Sequence, residues 1–298
     1  MRIRPGAYVD AEAWRAAEAA ERELVRIAAV VGTRAQPPVL SHESAAAVWG
    51  LPRIGRPPIA VELVDLAGTK PHSRNGVLWR RSAVAEDEIV EIDGLLVTDL
   101  ARTLADLARR RPFASAVAAL DHGTKERLVL PGGETRPGTT KEDVLVRVLS
   151  ASSNRGRRLA TRAIEFSDAR ADRPGESLSR ARIHALGFPP PDLQVRFPRA
   201  EGGVDIVDFD WPEFGLFGEF DGFGKYVREE FTHGLDIAEI VYEEKRREDR
   251  IRRRHRPFAA RWGWDDALRP ERLAHILSEA GLPRSVPREG RFRQGSTR

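Results

Sequence analysis

Two runs in the C-terminal half, VDIVDFDW from Val204 to Trp211 and FGLFGEF from Phe214 to Phe220, alternate apolar and polar residues and are joined by only a few residues around Pro212 to Phe214. Alternation with a period of two is a strand pattern, and so short a joint predicts an antiparallel hairpin. A turn centred between Glu213 and Phe214 sets Asp208 opposite Glu219. The same alternation gives Asp208 and Asp210 one face, pairs Glu219 with Asp221, and sends Leu216, Gly218 and Phe220 to the other side.

Opposed strand residues hold their Cβ atoms roughly 5 Å apart, where like charges repel. A divalent cation, Mg²⁺ or Mn²⁺, would relieve that repulsion, because such ions take carboxylate oxygens and waters as ligands. The 298 residues include no Cys, which excludes disulfides, thiolate-bound zinc and a thiol nucleophile, and leaves carboxylates or His for any metal. An ion held by Asp208, Glu219 and Asp221 can generate hydroxide for phosphodiester hydrolysis. A nearby ammonium, Lys225 or Lys245, would orient the water or stabilise charge on the phosphate. Glu176, on the first turn of the preceding predicted helix, would complete the set. The competing account is ordinary: strand acids are solvated or paired with Arg, and a one-residue slip of register would turn Asp208 away.

Apolar residues at 41% and charged residues at 32% predict a globular chain of about two domains. Its 49 Lys plus Arg nearly balance 45 Asp plus Glu, so net charge alone does not point to nucleic acid. No run of about 18 apolar residues could span a membrane, and the opening MRIRPGAYVDAEAW lacks the apolar core of a signal peptide. A cytoplasmic protein with no membrane partner is expected.

The polar, turn-rich segment FSDARADRPGE, Phe166 to Glu176, marks the expected domain boundary. Residues 1–168 are expected to form a small α/β domain. A Pro-Gly turn precedes a short strand, a helical run covers Ala11 to Val31, and SHESAAAVWGLP reads as a short Ser-capped helix. Strand patterns recur from Ile59 to Val97, then come helices from Leu100 and Phe113, a loop LPGGETRPGTT, and a helix opened by a Thr139–Glu142 capping box. Residues 169–284 read as helix, three strands, a helix from Ile237 to Arg254, a strand and a final helix capped by Asp265. The basic tail 285–298 is expected to be disordered.

The helix EEKRREDRIRRRHR offers Lys245, Arg246, Arg247 and Arg250 as contacts to DNA phosphates, with Ile240, Val241 and Ile251 holding it to the sheet. The alternative is a solvated face balanced by Glu243, Glu244, Glu248 and Asp249. Trp262 and Trp264 are expected in the core, and His42, without a spaced partner ligand, is expected to make a structural hydrogen bond.

In this order, PGESLSRARIHALGFPPPDLQ, VDFDW, GEFDGFGKY, EEKRREDRIRRRH and FAARWGWDDAL resemble the PD-(D/E)XK nuclease-like domain of unknown function related to very-short-patch-repair endonucleases. The resemblance spans roughly Arg173 to Leu268. It implies a restriction-endonuclease-like core, with helices around a mixed sheet, acting on DNA with Mg²⁺. It puts the helix-borne acid at Glu176, the family's Gln at Gln194, the metal-binding Asp at Asp208 and the acid of the E-x-K element at Glu219. Asp221 stands where the general motif has Lys, so Lys225, or after it Lys245, would have to supply the ammonium.

The first half, in RIRPGAYVD, LSHESAAAVWGLP, DGLLVTDLARTLADLA and AVAALD, is similar to the antitoxin-like region of type IV abortive-infection systems, where a winged helix-turn-helix normally comes first. This chain opens at what resembles the wing. That similarity implies a cognate toxin as partner, and the alternative function it implies is a non-catalytic, transcription-regulatory protein of a toxin-antitoxin pair that binds DNA or protein.

Overall fold

The computed structural model describes residues 1–66, 73–222 and 237–284, with the backbone alone for 237–241, 243 and 244. The expected tail, 285–298, lies outside the described residues. The α/β class is as expected, and the chain divides into two compact units, Met1–Ser177 and Leu178–Arg298. The division falls inside a helix, beyond the polar segment where composition changes. The loop before that helix is tied into the first unit by Lys125, whose Nζ donates to the Asp172 carbonyl at 2.7 Å.

In the first unit Gly6, at φ 81°, turns β1 (Arg2–Arg4) back onto β2 (Ala7–Tyr8). The expected single helix is two. Asp10 caps α1 (Ala11–Ala16) by accepting from the Glu12 and Ala13 amides, and the Glu21 side chain accepts from the Glu18 amide to open α2 (Ala19–Gly32). Two competing N-terminal caps within one Ala- and Glu-rich run break it between them. In α3 (His42–Val48) Ser41 is the cap residue, but its hydroxyl meets His42 Nδ1 at 3.1 Å and caps no amide.

The strands β3 (Val61–Val64) and β4 (Val77–Arg80) pair in parallel, and β5 (Ile89–Ile92) and β6 (Leu95–Thr98) antiparallel. Leu40 bridges the two pairs through Leu63 and Val97. Against them lie α4 (Leu100–Ala108) and α5 (Phe113–Gly123), burying Leu104, Leu107 and Leu120. The segment expected as a loop pairs as a hairpin, β7 (Arg127–Val129) with β8 (Thr135–Pro137), turned by Gly133 at φ 87°. Thr140, not Thr139, caps α6 (Lys141–Ser150), because the Thr139 amide is committed to the Gly123 carbonyl. Val144 and Val148 of α6 and Ile164 of α7 (Arg157–Phe166) close this core.

The second unit is entered through α8 (Pro174–Ala185). Its four-stranded sheet has the order β12-β11-β10-β9, formed by β9 (Asp192–Pro198), β10 (Val204–Trp211), β11 (Leu216–Asp221) and β12 (Phe258–Gly263). The pairs β9/β10 and β10/β11 are antiparallel, and β11/β12, joined across α9 (Ile237–Arg254), is parallel. The sheet is therefore mixed. A 3-10 turn over Pro212–Phe214, closed by Gly215 at φ 59°, makes the hairpin. Last come α10 (Trp264–Leu268) and α11 (Pro270–Glu279); Asp266, not Asp265, secures the start of α10 by accepting from the Gly263 amide at 3.1 Å.

The register of β10 on β11 is the expected one: Phe209 faces Gly218, Asp210 faces Phe217 and Trp211 faces Leu216. The expected faces need correction, because strict alternation stops at Asp208. Val207 packs with Phe197, Phe217 and the α9 residue Ile251, whereas Phe209 packs on Trp262 with ring centroids 5.1 Å apart. Residues two apart on one strand thus face opposite sides of the sheet. Gln194, directly across on β9, has φ 52°, a left-handed conformation that lets both strands turn over together. The acids therefore do not have an open face to themselves: Phe217 shares theirs, and α9 covers it.

Candidate functional site

The turnover of the two strands aims Asp208 between its neighbours. Its Oδ1 accepts from Gln194 Nε2 at 3.3 Å and its Oδ2 accepts from the Phe220 amide at 2.8 Å. A carboxylate has replaced a carbonyl as partner of a strand amide, so Asp208 is held to both flanking strands and its orientation is set by backbone. One step beyond the last registered pair, Glu219 extends from β11 opposite Asp208. Both residues are half-buried, and Asp221, at the end of β11, is exposed.

Three acids of this hairpin region are met by arginines. Arg247 Nη2 lies 2.8 Å from Glu219 Oε1, while its Nη1 donates to the Ile206 carbonyl at 2.6 Å. Asp205, buried, receives Arg250 Nε and Nη2, both at 3.1 Å, and Arg199 Nε at 2.7 Å. Burial pushes the Asp205 carboxyl up, but the hydrogen bonds from Arg250 and Arg199 outweigh it and hold the group below the usual carboxylate range. Asp210, also buried, takes a two-pronged contact from Arg256, Nε to Oδ1 at 2.7 Å and Nη2 to Oδ2 at 2.8 Å. That hydrogen bonding raises the Arg256 pKa against the opposing effect of burial.

Of the arginines expected to meet DNA, Arg247 and Arg250 thus turn inward to acids, three positions apart and so on one face of α9. Lys245 and Arg246 are exposed, with the Arg246 guanidinium 5.8 Å from the Tyr242 ring centroid. Asp205, Arg199 and Arg256 were not singled out in the sequence, and Asp210 was placed on a face there but given no partner. The available signal was the spacing of Arg247 and Arg250 on a helix that must cover a strand carrying acids.

Glu176 is buried near the start of α8, on the first-unit side of the division. Its Oε2 accepts from the Asp172 amide at 2.8 Å, which secures the helix start. Lys225 lies outside the described residues. Asp208 and Glu219 supply the hard oxygen donors that Mg²⁺ prefers, from opposite strands of one hairpin. Among the described residues, however, no group of three or more His, Asp or Glu forms a metal cluster. The donor type and register suit an ion, with Arg247 occupying one of the Glu219 oxygens.

The first unit has its own buried polar cluster. His42 Nδ1 lies 3.1 Å from Ser41 Oγ and 3.7 Å from Asp106 Oδ2, so its contact is structural, as expected. Ser, His and Asp are together, but both partners approach the same ring nitrogen, whereas a hydrolase triad needs one on each. Trp262 is buried, as expected, and donates to Ser179 Oγ at 2.8 Å, whereas Trp264 is half-buried and meets Phe220 edge-on at 5.4 Å.

No family model matches the chain, and no solved structure matches it. Over 163 residues it is 24% identical to uncharacterized proteins from two strains of Mycobacterium tuberculosis, a match that covers 55% of this chain and 55% of each relative. The chain spans about half the length of the curated relatives it matches.

Proposed function

We propose that the second unit is a nuclease-like domain that hydrolyses phosphodiester bonds in DNA with Mg²⁺ or Mn²⁺, in repair, mobile-element biology or phage defence. The observation that carries this reading is the setting of Asp208: a half-buried carboxylate, held by the Phe220 amide and Gln194, at the point where two strands turn over and opposite Glu219. Asp208, Glu219 and Asp221 would hold the ion. When bound, the ion supplies an activated water and stabilises the developing charge. Lys225 would orient the water or the phosphate, and Lys245 and Arg246 on the exposed side of α9 would meet the DNA backbone. No described helix is long and apolar enough to cross a membrane, and a cytoplasmic location belongs to the same proposal.

The test is calorimetric titration of Mg²⁺ and Mn²⁺ into the full chain and into a D208A/E219A variant, alongside cleavage of plasmid and branched DNA by the parent and by E219Q. Ion binding lost in the double variant, with cleavage lost in E219Q, is the expected outcome. Identical ion binding by parent and double variant removes the metal site and the reading with it.

A second reading is favoured by the Arg247–Glu219 pair, which neutralises the acid without an ion. In that reading the chain is a non-catalytic, antitoxin-like or transcription-regulatory protein, its first 168 residues engaging a cognate toxin and its second unit binding DNA. DNA retention that is insensitive to chelator, with no cleavage, selects it.

A further inference from the structure

In the first unit the buried Arg102 and Arg111 and the half-buried Arg53 and Arg80 face carboxylates. Arg53 meets Glu23 and Glu43, Arg80 meets Glu62, Arg102 meets Glu88 and Asp106, and Arg111 meets Glu43. Arg4, on β1, and Arg34, just past α2, are exceptions: among the described residues neither has a carboxylate partner. The β1/β2 hairpin sits on the end of α2, where a Cβ added at Gly6 would come within 3.3 Å of Thr33 Cγ2. Nε and Nη1 of Arg4 and Nε of Arg34 are sealed from solvent with no acceptor.

Arg34 also lies over the Trp79 indole, its Cζ 5.1 Å from the ring centroid, which holds the guanidinium plane in place. Burial lowers the Arg34 pKa, and the charge of Arg4 lowers it further, so the two cations repel. The negative end of α2 favours cations here but gives these N–H groups no acceptor. Two partly buried guanidiniums on elements that pack together, neither with a carboxylate partner among the described residues, form a receptor for an anion.

We propose that Arg4 and Arg34, with Arg34 braced on Trp79, bind a phosphate group, either free phosphate or a phosphate of a nucleic-acid backbone. Phosphate fits better than carboxylate, since it carries more charge and offers oxygens to both forks at once. The site is independent of the acids of the second unit, and its failure would leave the nuclease reading untouched.

The test uses the full chain, measuring its melting temperature in inorganic phosphate up to about 10 mM against chloride of equal ionic strength, since a ligand of the native state raises it by mass action. The parent should gain stability, and R4Q and R34Q should each bind about tenfold more weakly, the effect of losing one charge-assisted contact. R34K keeps the charge without the fork and should also weaken binding, which keeps the test open if R34Q does not fold. A fluorescent single-stranded DNA oligonucleotide separates the sources. Binding that phosphate displaces and R34Q abolishes assigns the site to backbone phosphate; phosphate binding without any effect on the oligonucleotide assigns it to free phosphate. No gain in the parent, or equal gains in the parent, R4Q and R34K, overturns the proposal.

Discussion

Asp210 is 2% exposed, and both of its carboxylate oxygens are occupied by Arg256, at 2.7 and 2.8 Å. In Arg256→Met the carboxylate stays buried and loses its cation, and the stacking of Arg256 over Phe197, 5.4 Å to the centroid, goes with it. Removing one partner of a buried pair costs about 3–5 kcal/mol. The Arg256 side chain keeps 20% of its exposure, so water reaches the pair from one side and the lower end applies, about 3 kcal/mol. For a unit of this size that lowers the melting temperature by about 12 °C. Urea unfolding followed by fluorescence measures the loss, since Trp211, Trp262 and Trp264 report on the second unit while Trp14, Trp49 and Trp79 report on the first. The double variant Asp210→Asn with Arg256→Met should recover most of the loss, because no unpaired charge remains, giving a coupling of about 2 kcal/mol. A single variant that loses less than about 1 kcal/mol, as an exposed pair would, or a double variant that loses the sum of the two singles, refutes the assignment.

Gly218→Ala would place a Cβ 2.6 Å from Trp262 Cη2 and 3.0 Å from Trp211 Cζ3, so a loss of about 1–3 kcal/mol with altered near-ultraviolet dichroism is expected; an unchanged spectrum and midpoint contradict it. Burial pushes the Glu43 carboxyl up, but Arg111 and Arg53 outweigh burial and hold it down to about 2. A depressed carboxyl contributes stability that is complete above its ordinary 4.5 and is lost as pH falls toward about 2, here about 3 kcal/mol. The urea midpoint of the first unit should fall across that window in the parent and vary less in Glu43→Gln; equal slopes rule the pairing out. Burial lowers the His42 pKa although Asp106 and Glu62 oppose it, so His42 contributes stability present above 6.5 and lost as pH drops below that value. His42→Asn should flatten the acid side of the stability profile near neutrality and tolerate the left-handed φ of 51°; a profile identical to the parent's disproves it.

Local patterns were legible in the sequence. The strand Val204–Trp211, the helix Ile237–Arg254 and the register that sets Phe209 on Gly218 follow from period, caps and joint length, which act over a few residues. What depends on contacts between distant residues was not legible. The split of the first long helix lay between two local signals of similar strength, and the place of the α6 cap turned on a hydrogen bond from Thr139 to Gly123. The candidate site shows the same limit more sharply. The sequence alone pointed to Asp208 and Glu219 on neighbouring strands, because so short a joint predicts a hairpin, and the four residues Pro212–Gly215, centred between Glu213 and Phe214, set them opposite each other. Only the tertiary structure decided their surroundings: β9 had to turn over at Gln194 before Asp208 could take the Phe220 amide, and α9 had to lie on the sheet before Arg247 could reach Glu219. A strand's pairing is set by its immediate neighbours in the chain, whereas the charge balance of a buried acid is set by whichever helix is packed over it.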